Sequence, residues 1–205
     1  LKTAATLDGK TALVSGASQW ITGEAARADV QRLRARACAI LTGSGTVLAD
    51  DPRMNVRDLD IGRQPLKVVV DSELRTPASA AILPALIACH HAGPGARAAL
   101  GAAGAEVIEL PGADGRVDLA ALLALLAQRG VNELHVEAGA ALNGTLLAAG
   151  LVDEWVAYVA PMAVGDAARG LFAMPAPTSL ADAPRFKLAD VRQLGGDLRL
   201  TLVPA

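Results

Sequence analysis

Short runs of β-favouring residues alternate with helical stretches along most of the chain, and this alternation constrains the fold more than any other feature. Val68, Val69 and Val70 form a continuous apolar run, which is typical of a central strand buried on both faces of a sheet. Strands that alternate with helices predict an α/β fold with a mostly parallel central sheet. The 205 residues are ample for a buried core, and they contain no internal repeat and no low-complexity linker. We therefore predict a single domain over residues 1–205.

The strand-like runs are short and rich in apolar residues. We predict strands at residues 1–7, 38–42, 66–71, 86–89, 106–110, 133–137, 154–160, 186–191 and 198–203. The last two runs flank Leu194-Gly195-Gly196-Asp197, and apolar alternation on both sides of a Gly-Gly pair predicts a hairpin. The sheet is therefore expected to end in antiparallel C-terminal edge strands.

Helix boundaries are indicated by capping residues and glycines. Thr22 can cap a helix that runs to about residue 37, with Glu24 in its first turn, where the helix dipole favours a carboxylate. Asp118 can cap a second helix over residues 119–129, which Gly130 ends. Two further helices are predicted over residues 140–149 and 95–103.

Composition excludes several classes of function. A net charge of -2 and a pI near 5.9 disfavour nucleic-acid binding, which needs a basic face. Two Trp, two Phe and one Tyr are too few for a platform that stacks single strands. No uninterrupted apolar run reaches the length of about 18 residues that a membrane helix needs. Metal binding is also not expected, because the His and Cys residues lack ligand spacing.

The two cysteines, Cys38 and Cys89, are interpreted as small apolar residues of a protein in a reducing compartment, and we expect a cytoplasmic location. The chain begins at Leu1 rather than Met, inside a predicted strand. We therefore expect a domain cut from a longer polypeptide.

Two segments combine small residues with side chains that suit a ligand. In residues 8–22, a small-residue loop containing Trp20 leads into a helix; it is either a turn with a core tryptophan or a loop that covers a flat ring. In residues 42–53, Asp50 and Asp51 precede a proline, which is often only a turn. The nearby Arg53 and Arg57 would nevertheless suit a phosphate.

Two more segments lie where predicted strands end. Ser72 and Arg75 follow the valine run, where they could hold a 2′-phosphate or simply form a solvated turn. Residues 135–145 pass from a strand ending in Glu137 through a glycine into a helix. Free backbone N–H groups and the positive helix end make this segment suitable for a pyrophosphate.

Taken together, these segments resemble a known family. L-K-T-A-A-T-L-D-G-K-T-A, then S-x-W-I-T-G-x-x-A-R-x-D-V-Q-x-L-R-A, then A-I-L-T-G-x-G-T-V-L-A-D-D-P-R-x-x-V-R, are similar to the reductase half of the bifunctional riboflavin-biosynthesis deaminase/reductase. The similarity continues through V-V-V-D-S, V-E-A-G-A-A-L-N-G, L-V-D-E-W-V-A-Y-V-A-P and A-R-G-L-F. It covers nearly the whole chain in order.

The resemblance implies a dihydrofolate-reductase-like three-layer fold. It also implies NADPH-dependent reduction of 5-amino-6-(5-phosphoribosylamino)uracil to the ribitylamino compound, with hydride delivered to C1′ of the opened ribose. A homodimer and a covalently linked N-terminal deaminase are the implied partners. The zinc signature of that deaminase half, H-x-E with P-C-x-x-C, is absent from this chain.

Residue roles are carried over from the matching motif positions. The implied cofactor-binding residues are Ala4, Trp20, Thr46, Asp50, Ser72, Gly139, Ala140, Ala141, Leu142, Asn143, Gly144 and Thr145. The implied substrate-binding residues are Ser18, Arg34, Arg53, Arg57 and Glu137, with Arg34 and Arg57 on the substrate phosphate and Lys2 near the ribose.

Ring opening and imine formation need general acid–base catalysis, for which Asp50, Glu137 and Lys2 are the candidates. Asp50 is the first choice as proton donor, because it lies between Thr46 on the cofactor side and Arg53 on the substrate side. The chain departs from the family pattern at Met162 and at residues 165–168, which leaves the role of that loop open.

Two alternative functions remain at this point. A stand-alone reductase of the related type would act on the 2,5-diamino pyrimidinone before deamination. A noncatalytic nucleotide-binding domain would keep the fold without turnover, although the retained Asp50 and Glu137 argue against it.

Overall fold

The computed structural model describes residues 1–205, which form two compact units. One unit, here called the terminal unit, comprises Leu1–Val30 and Glu137–Ala205. The other, here called the inserted unit, comprises Gln31–Val136. That these units constitute one reductase domain stays a prediction.

Strands and helices alternate along the chain, as predicted. In order they are β1 (Lys2–Thr6), β2 (Lys10–Ala12), α1 (Glu24–Arg36), β3 (Ala39–Gly43), α2 (Ser44–Asp50), β4 (Leu66–Val70), β5 (Leu86–Cys89), α3 (Pro94–Ala102), β6 (Glu106–Glu109), α4 (Leu119–Gln128), β7 (Leu134–Val136), α5 (Ala140–Ala148), β8 (Trp155–Ala160), β9 (Arg169–Gly170), β10 (Phe186–Leu194) and β11 (Asp197–Pro204). A short 3₁₀ turn lies at Ala113–Gly115. No helix is both long and apolar enough to cross a bilayer.

The inserted unit is built on a five-stranded sheet in the order β6-β5-β4-β3-β7, in which every pair of neighbours is parallel. Val68 and Val69 on β4 are fully buried, as are Ile40 on β3 and Ile87 on β5. Branched aliphatic residues suit such positions, because a parallel sheet is covered on both faces. The predicted mostly parallel sheet is therefore confirmed in this unit.

The terminal unit contains a four-stranded sheet in the order β1-β8-β11-β10. β1 pairs with β8 in parallel, whereas β11 pairs antiparallel with both β8 and β10. Leu194 faces Asp197 across the hairpin turn, as the Gly-Gly pair predicts. A second small sheet joins β2 to β9, and neither of these short strands was predicted.

The predicted cap of α4 is confirmed, but that of α1 is wrong. The Asp118 carboxylate accepts the Ala121 N–H at 2.9 Å. In α1 the first backbone hydrogen bond runs from Arg27 to the carbonyl of Gly23, so Gly23 rather than Thr22 occupies the cap position. The N–H of Gly23 donates to the carboxylate of Asp197 at 2.6 Å. A side chain distant in sequence thus binds the backbone N–H of the residue at which α1 begins.

The helix α2 was not predicted. Its glycine, threonine, valine and aspartate have modest helix propensity. Burial of Ser44 and Val47 stabilises the helix, and Asp51 ends it in the left-handed conformation with its N–H on the carbonyl of Val47. Tertiary packing therefore outweighs local preference here.

Candidate active site

Lys2 and Glu137 form a shielded ion pair in the terminal unit. The Lys2 Nζ lies 3.7 Å from Oε2 of Glu137, and the two side chains are 16% and 12% exposed. The ammonium also lies 5.9 Å from the centroid of the Tyr158 ring. Partial burial strengthens such interactions, because solvent screens them less. Both residues were predicted as catalytic, and the structure brings them together.

A buried polar network lies beside this pair. The Tyr158 hydroxyl donates to Oδ2 of Asp29 at 2.7 Å, and Nη1 of Arg199 donates to the same oxygen at 3.1 Å. Burial raises the pKa of Tyr158 far above its usual range, and the hydrogen bond to the Asp29 carboxylate raises that pKa further. Tyr158 therefore stays protonated and acts as a hydrogen-bond donor.

The network residues had no predicted role. Asp29 is the aspartate of the A-R-x-D-V-Q motif and Tyr158 belongs to L-V-D-E-W-V-A-Y, so both positions were visible in the sequence. Tyr158 was hidden within an apolar strand, where a buried aromatic residue is the ordinary expectation. Ala4, a predicted cofactor residue, lies opposite Tyr158 in the β1–β8 register and two residues beyond Lys2 on the same strand face.

The N-terminus of α5 is open to a ligand. Gly139 occupies the cap position without a side-chain hydrogen bond, and the first intrahelical bond runs from the Asn143 N–H to the Gly139 carbonyl at 3.1 Å. The N–H groups of Ala140, Ala141 and Leu142 therefore have no helical partner. Such donors at the positive end of a helix suit an anion, so this turn fits the phosphates of a dinucleotide.

The predicted residues of the next turn have packing roles that the structure explains. Asn143 is buried, and its Nδ2 donates to the Ala138 carbonyl at 3.0 Å. A Cβ atom at Gly144 would lie 2.2 Å from the carbonyl oxygen of Ala173. The Thr145 hydroxyl donates back to the Ala141 carbonyl at 3.0 Å. These three residues shape the helix and the segment that covers it.

Ser18 and Trp20 belong to the loop that leads into α1. The Ile21 N–H donates to the Ser18 carbonyl at 3.2 Å, which closes a turn around Trp20. Trp20 is 68% exposed. The Arg27 guanidinium carbon lies 4.5 Å from the centroid of the indole. The indole is therefore a surface feature rather than a core residue.

In the inserted unit, Arg34 contacts the segment that carries Arg53 and Arg57. Nη1 of Arg34 donates to the Asn55 carbonyl at 2.9 Å, and its Nη2 lies 3.7 Å from the sulfur of Met54. Met54 and Asn55 lie between Arg53 and Arg57 in the sequence, and both of these arginines are exposed. The structure thus brings Arg34 to the segment that carries the other two arginines.

This irregular segment is held by side chains that sequence reasoning missed. The side-chain amide oxygen Oε1 of Gln31 accepts the Arg57 N–H at 2.9 Å. Gln64 accepts the Val56 N–H at 2.8 Å and donates to the Val56 carbonyl at 3.1 Å. The Q in the D-V-Q motif is Gln31, which is the one sequence signal that could have indicated it.

The remaining predicted residues of the inserted unit lie in α2 and just after β4. Thr46 is half-buried within α2 and Asp50 is its exposed last residue. Ser72 follows β4, and its hydroxyl oxygen accepts the Val117 N–H at 3.2 Å. The adjacent Asp71 is fully buried and accepts both the N–H and the hydroxyl of Thr76, which fixes this turn.

The predicted site residues are divided between the units. Those of the terminal unit are Lys2, Ala4, Ser18, Trp20, Glu137 and residues 139–145. Those of the inserted unit are Arg34, Thr46, Asp50, Arg53, Arg57 and Ser72.

The parallel and antiparallel strands and the helices between them are those of the dihydrofolate-reductase-like class of α/β folds. The family described as the RibD C-terminal domain matches residues 1–200. The chain belongs to this family.

Three curated relatives carry three different names. The riboflavin biosynthesis protein RibD of Escherichia coli is 42% identical over 217 residues, covering 100% of this chain and 59% of that protein. The 2,5-diamino-6-ribosylamino-4(3H)-pyrimidinone 5′-phosphate reductase of Methanothermobacter thermautotrophicus is 41% identical, covering 97% of this chain and 94% of that protein. A 5-amino-6-(5-phosphoribosylamino)uracil reductase of Buchnera aphidicola is 32% identical, with 93% and 98% covered. The chain thus spans less than two thirds of the RibD relative but nearly all of the other two.

A solved structure supports the same fold. RibD of Acinetobacter baumannii is 39% identical, with a TM-score of 0.87 over 100% of this chain and 57% of that one. The predicted fold class is confirmed by this likeness.

Proposed function

We propose that this chain is an NADPH-dependent reductase of riboflavin biosynthesis that converts 5-amino-6-(5-phosphoribosylamino)uracil into 5-amino-6-(5-phosphoribitylamino)uracil. Membership of the RibD C-terminal domain family supports a reductase, and the Buchnera relative carries the name of this activity. The observation that carries the proposal is the shielded Lys2–Glu137 pair in the same unit as the open N-terminus of α5. One feature suits proton and charge chemistry, and the other suits a phosphate-bearing cofactor.

NADPH fits the residues present. The free N–H groups at Ala140, Ala141 and Leu142 would hold its phosphates, and Ser72 would lie at the 2′-phosphate end. Ala4, Trp20, Thr46 and Asp50 would line the rest of the cofactor site, together with Gly139 and residues 143–145. When bound, NADPH supplies the hydride that the reaction needs.

The substrate side would be positively charged. Arg34 and Arg57 would bind the substrate phosphate, since a guanidinium group can donate two parallel hydrogen bonds to one phosphate. Ser18 and Arg53 would complete that side. Lys2 would lie near the ribose, where its ammonium can stabilise negative charge on a ribose oxygen while Glu137 holds the ammonium in place. Asp50 remains the first choice as proton donor, with Glu137 and Lys2 as the other candidates.

A second substrate is favoured by one finding. The Methanothermobacter relative, named for the 2,5-diamino pyrimidinone, is 41% identical and is almost completely covered by this chain. The alternative is therefore a reductase that acts before deamination. A noncatalytic nucleotide-binding role has no observation in its favour.

The experiment is a turnover assay with NADPH and each pyrimidine in turn. We expect NADPH oxidation with both compounds, and oxidation with the 2,5-diamino compound should be slower by a factor of about ten or more. Mass spectrometry should identify the ribityl product. Glu137→Gln should lose activity, whereas Glu133→Gln, at a partly exposed glutamate paired with Arg36, should retain it. Preference for the diamino compound would establish the alternative substrate. If the protein bound NADPH but oxidised it with neither pyrimidine, the proposal of a reductase would be contradicted.

We also propose a homodimer in the cytoplasm, with a deaminase linked in the same polypeptide. The RibD relatives exceed the chain in length, which supports the linked deaminase. Light scattering on the purified chain measures the first point directly, and a mass of one chain would contradict it.

A further inference from the structure

Trp20 is the one aromatic side chain that the fold leaves exposed. It is 68% exposed, whereas Tyr158 is buried and Trp155, Phe172 and Phe186 are at least half-buried. Trp155 packs edge-on against both phenylalanines, with ring centroids 5.1 and 5.6 Å away. In a chain with so few aromatics, leaving an indole in water forfeits the largest hydrophobic contribution that a single side chain can make. The exposed indole is therefore accessible to a ligand.

The exposed indole is held firmly in place. The Arg27 guanidinium carbon lies 4.5 Å from the ring centroid, and Nη1 of the same side chain donates to the Thr22 carbonyl at 2.7 Å. The Gly23 N–H is bound to Asp197 at 2.6 Å, which anchors the loop where α1 begins. Arg27 therefore contacts the indole and ties the loop on its C-terminal side at the same time.

This arrangement gives the indole two different faces. The guanidinium lies over one face, so the exposure that remains belongs to the other face and the edges. A planar guanidinium stacks on an indole and is attracted to the negative π-face of the ring. The guanidinium beside the ring therefore limits rotation of the Trp20 side chain. A ring held in this way loses little conformational freedom when a flat ligand stacks on it.

We propose that Arg27 is a positioning residue that holds Trp20 as a one-sided stacking surface for the flat heteroaromatic ring of a ligand. Under the proposed function, on which the ligand's identity rests, that ring is either a ring of NADPH or the pyrimidine of the substrate. Arg27 acts through Trp20 and does not contact the ligand itself.

The test is a double-mutant cycle read by calorimetric titration. The variants are Arg27→Met, which keeps the aliphatic stem, Arg27→Lys, Trp20→Leu and the double variant. The ligands are NADPH alone and 5-amino-6-(5-phosphoribosylamino)uracil alone, so that the two sources of a flat ring are separated. Arg36→Met is the matched control, because it removes an exposed guanidinium from the far end of the same helix.

We expect the Kd for one of the two ligands to rise about two- to fivefold in Arg27→Met, and roughly two- to tenfold in Trp20→Leu. Arg27→Lys should weaken binding less than Arg27→Met does. In the double variant the Kd should match that of Trp20→Leu, since Arg27 has no effect once the indole is gone. Arg36→Met should bind both ligands as the wild type does.

Three outcomes would overturn the inference: an unchanged Kd in Arg27→Met, effects that multiply in the double variant, or unchanged binding of both ligands in Trp20→Leu. Multiplying effects would mean that Arg27 acts on the fold or on the ligand directly. Failure of the proposed function would give a different result. The wild-type protein would then not oxidise NADPH in the turnover assay, while the double-mutant cycle could still be non-additive.

Discussion

At Gly144 a Cβ atom would lie 2.2 Å from the carbonyl oxygen of Ala173 and 2.6 Å from its carbonyl carbon. The Ala173 N–H donates to the Ala140 carbonyl at 2.9 Å, so the covering segment is bonded to the same helix. Both obstructing atoms belong to backbone, which cannot move aside without breaking that bond. A single residue of α5 therefore determines how closely the backbone at Ala173 can pack on this helix.

Gly144→Ala should destabilise the protein by about 1–3 kcal/mol, because the added methyl group forces the backbones apart. Gly101→Ala is the matched control, since nothing lies within 4 Å of a Cβ built there. That change should stabilise α3 by up to about 1 kcal/mol through helix propensity. Urea unfolding of both variants measures the difference. Equal stability of the two variants would contradict the close approach.

Asp50→Asn should lower kcat by about 10²–10⁴-fold, because an amide cannot donate the proton that general acid catalysis requires. The limb of the pH–rate profile on which activity falls as pH rises should change with it, because a general acid must be protonated to act. Asp60→Asn, at another exposed aspartate of the inserted unit, should leave kcat unchanged. Steady-state kinetics across pH provide the measurement. If Asp50→Asn retained the wild-type turnover and pH profile, Glu137 or Lys2 would become the leading candidate.

At the scale of secondary-structure elements, α1 shows how a helix end is completed from a distance. Its N-terminus begins after Gly23, which has no side chain to act as a cap. The carboxylate of Asp197, at the start of β11 and only 4% exposed, accepts the free N–H and carries the charge that the helix dipole favours. The hairpin turn and the Trp20 loop are thereby joined.

Asp197→Ala should destabilise the protein by about 0.5–2 kcal/mol, the usual cost of losing a helix cap. Asp197→Asn should recover most of this loss, because the amide oxygen remains an acceptor. Thr22→Ala should change stability by less than about 0.5 kcal/mol, since the structure gives its hydroxyl no capping role. Thermal or urea denaturation compares the three. A larger loss in Thr22→Ala than in Asp197→Ala would restore Thr22 as the cap.

At the scale of the whole molecule, Tyr158 couples stability to alkaline pH. It is the only tyrosine in the chain, so phenolate absorbance reports on this residue alone. Its folded-state pKa is raised above the ordinary value of 10.0, first by burial and then by the Asp29 carboxylate. A raised folded pKa contributes stability that is fully present below the unfolded pKa and is lost as pH rises above it.

The free energy of unfolding should therefore decline as pH rises past about 10, because the unfolded state alone can release the Tyr158 proton. Phenolate absorbance should appear together with the loss of circular dichroism, not before it. Tyr158→Phe should weaken the alkaline decline. A phenolate signal near pH 10 in a fully folded protein would contradict the buried hydrogen bond.

The order of the main elements and the class of the fold could be predicted from the amino-acid sequence. Local signals were sufficient there: three consecutive valines indicate a strand buried on both faces, Asp118 caps α4, and Gly195-Gly196 turns the hairpin. These features depend on residues that are neighbours in the chain. The motifs also contained the predicted site residues, although their roles remain predictions.

Features that depend on residues far apart in sequence could not be predicted and became visible in the folded chain. Asp197 rather than Thr22 completes α1, buried Ser44 and Val47 stabilise α2, and Ala173 dictates the glycine at position 144. The same holds for the hydrogen bond from Tyr158 to Asp29, which are 129 residues apart. Local propensities are worth only tenths of a kcal/mol per residue, whereas buried contacts and hydrogen bonds are worth more. Where the two compete, the packing of distant residues determines the structure.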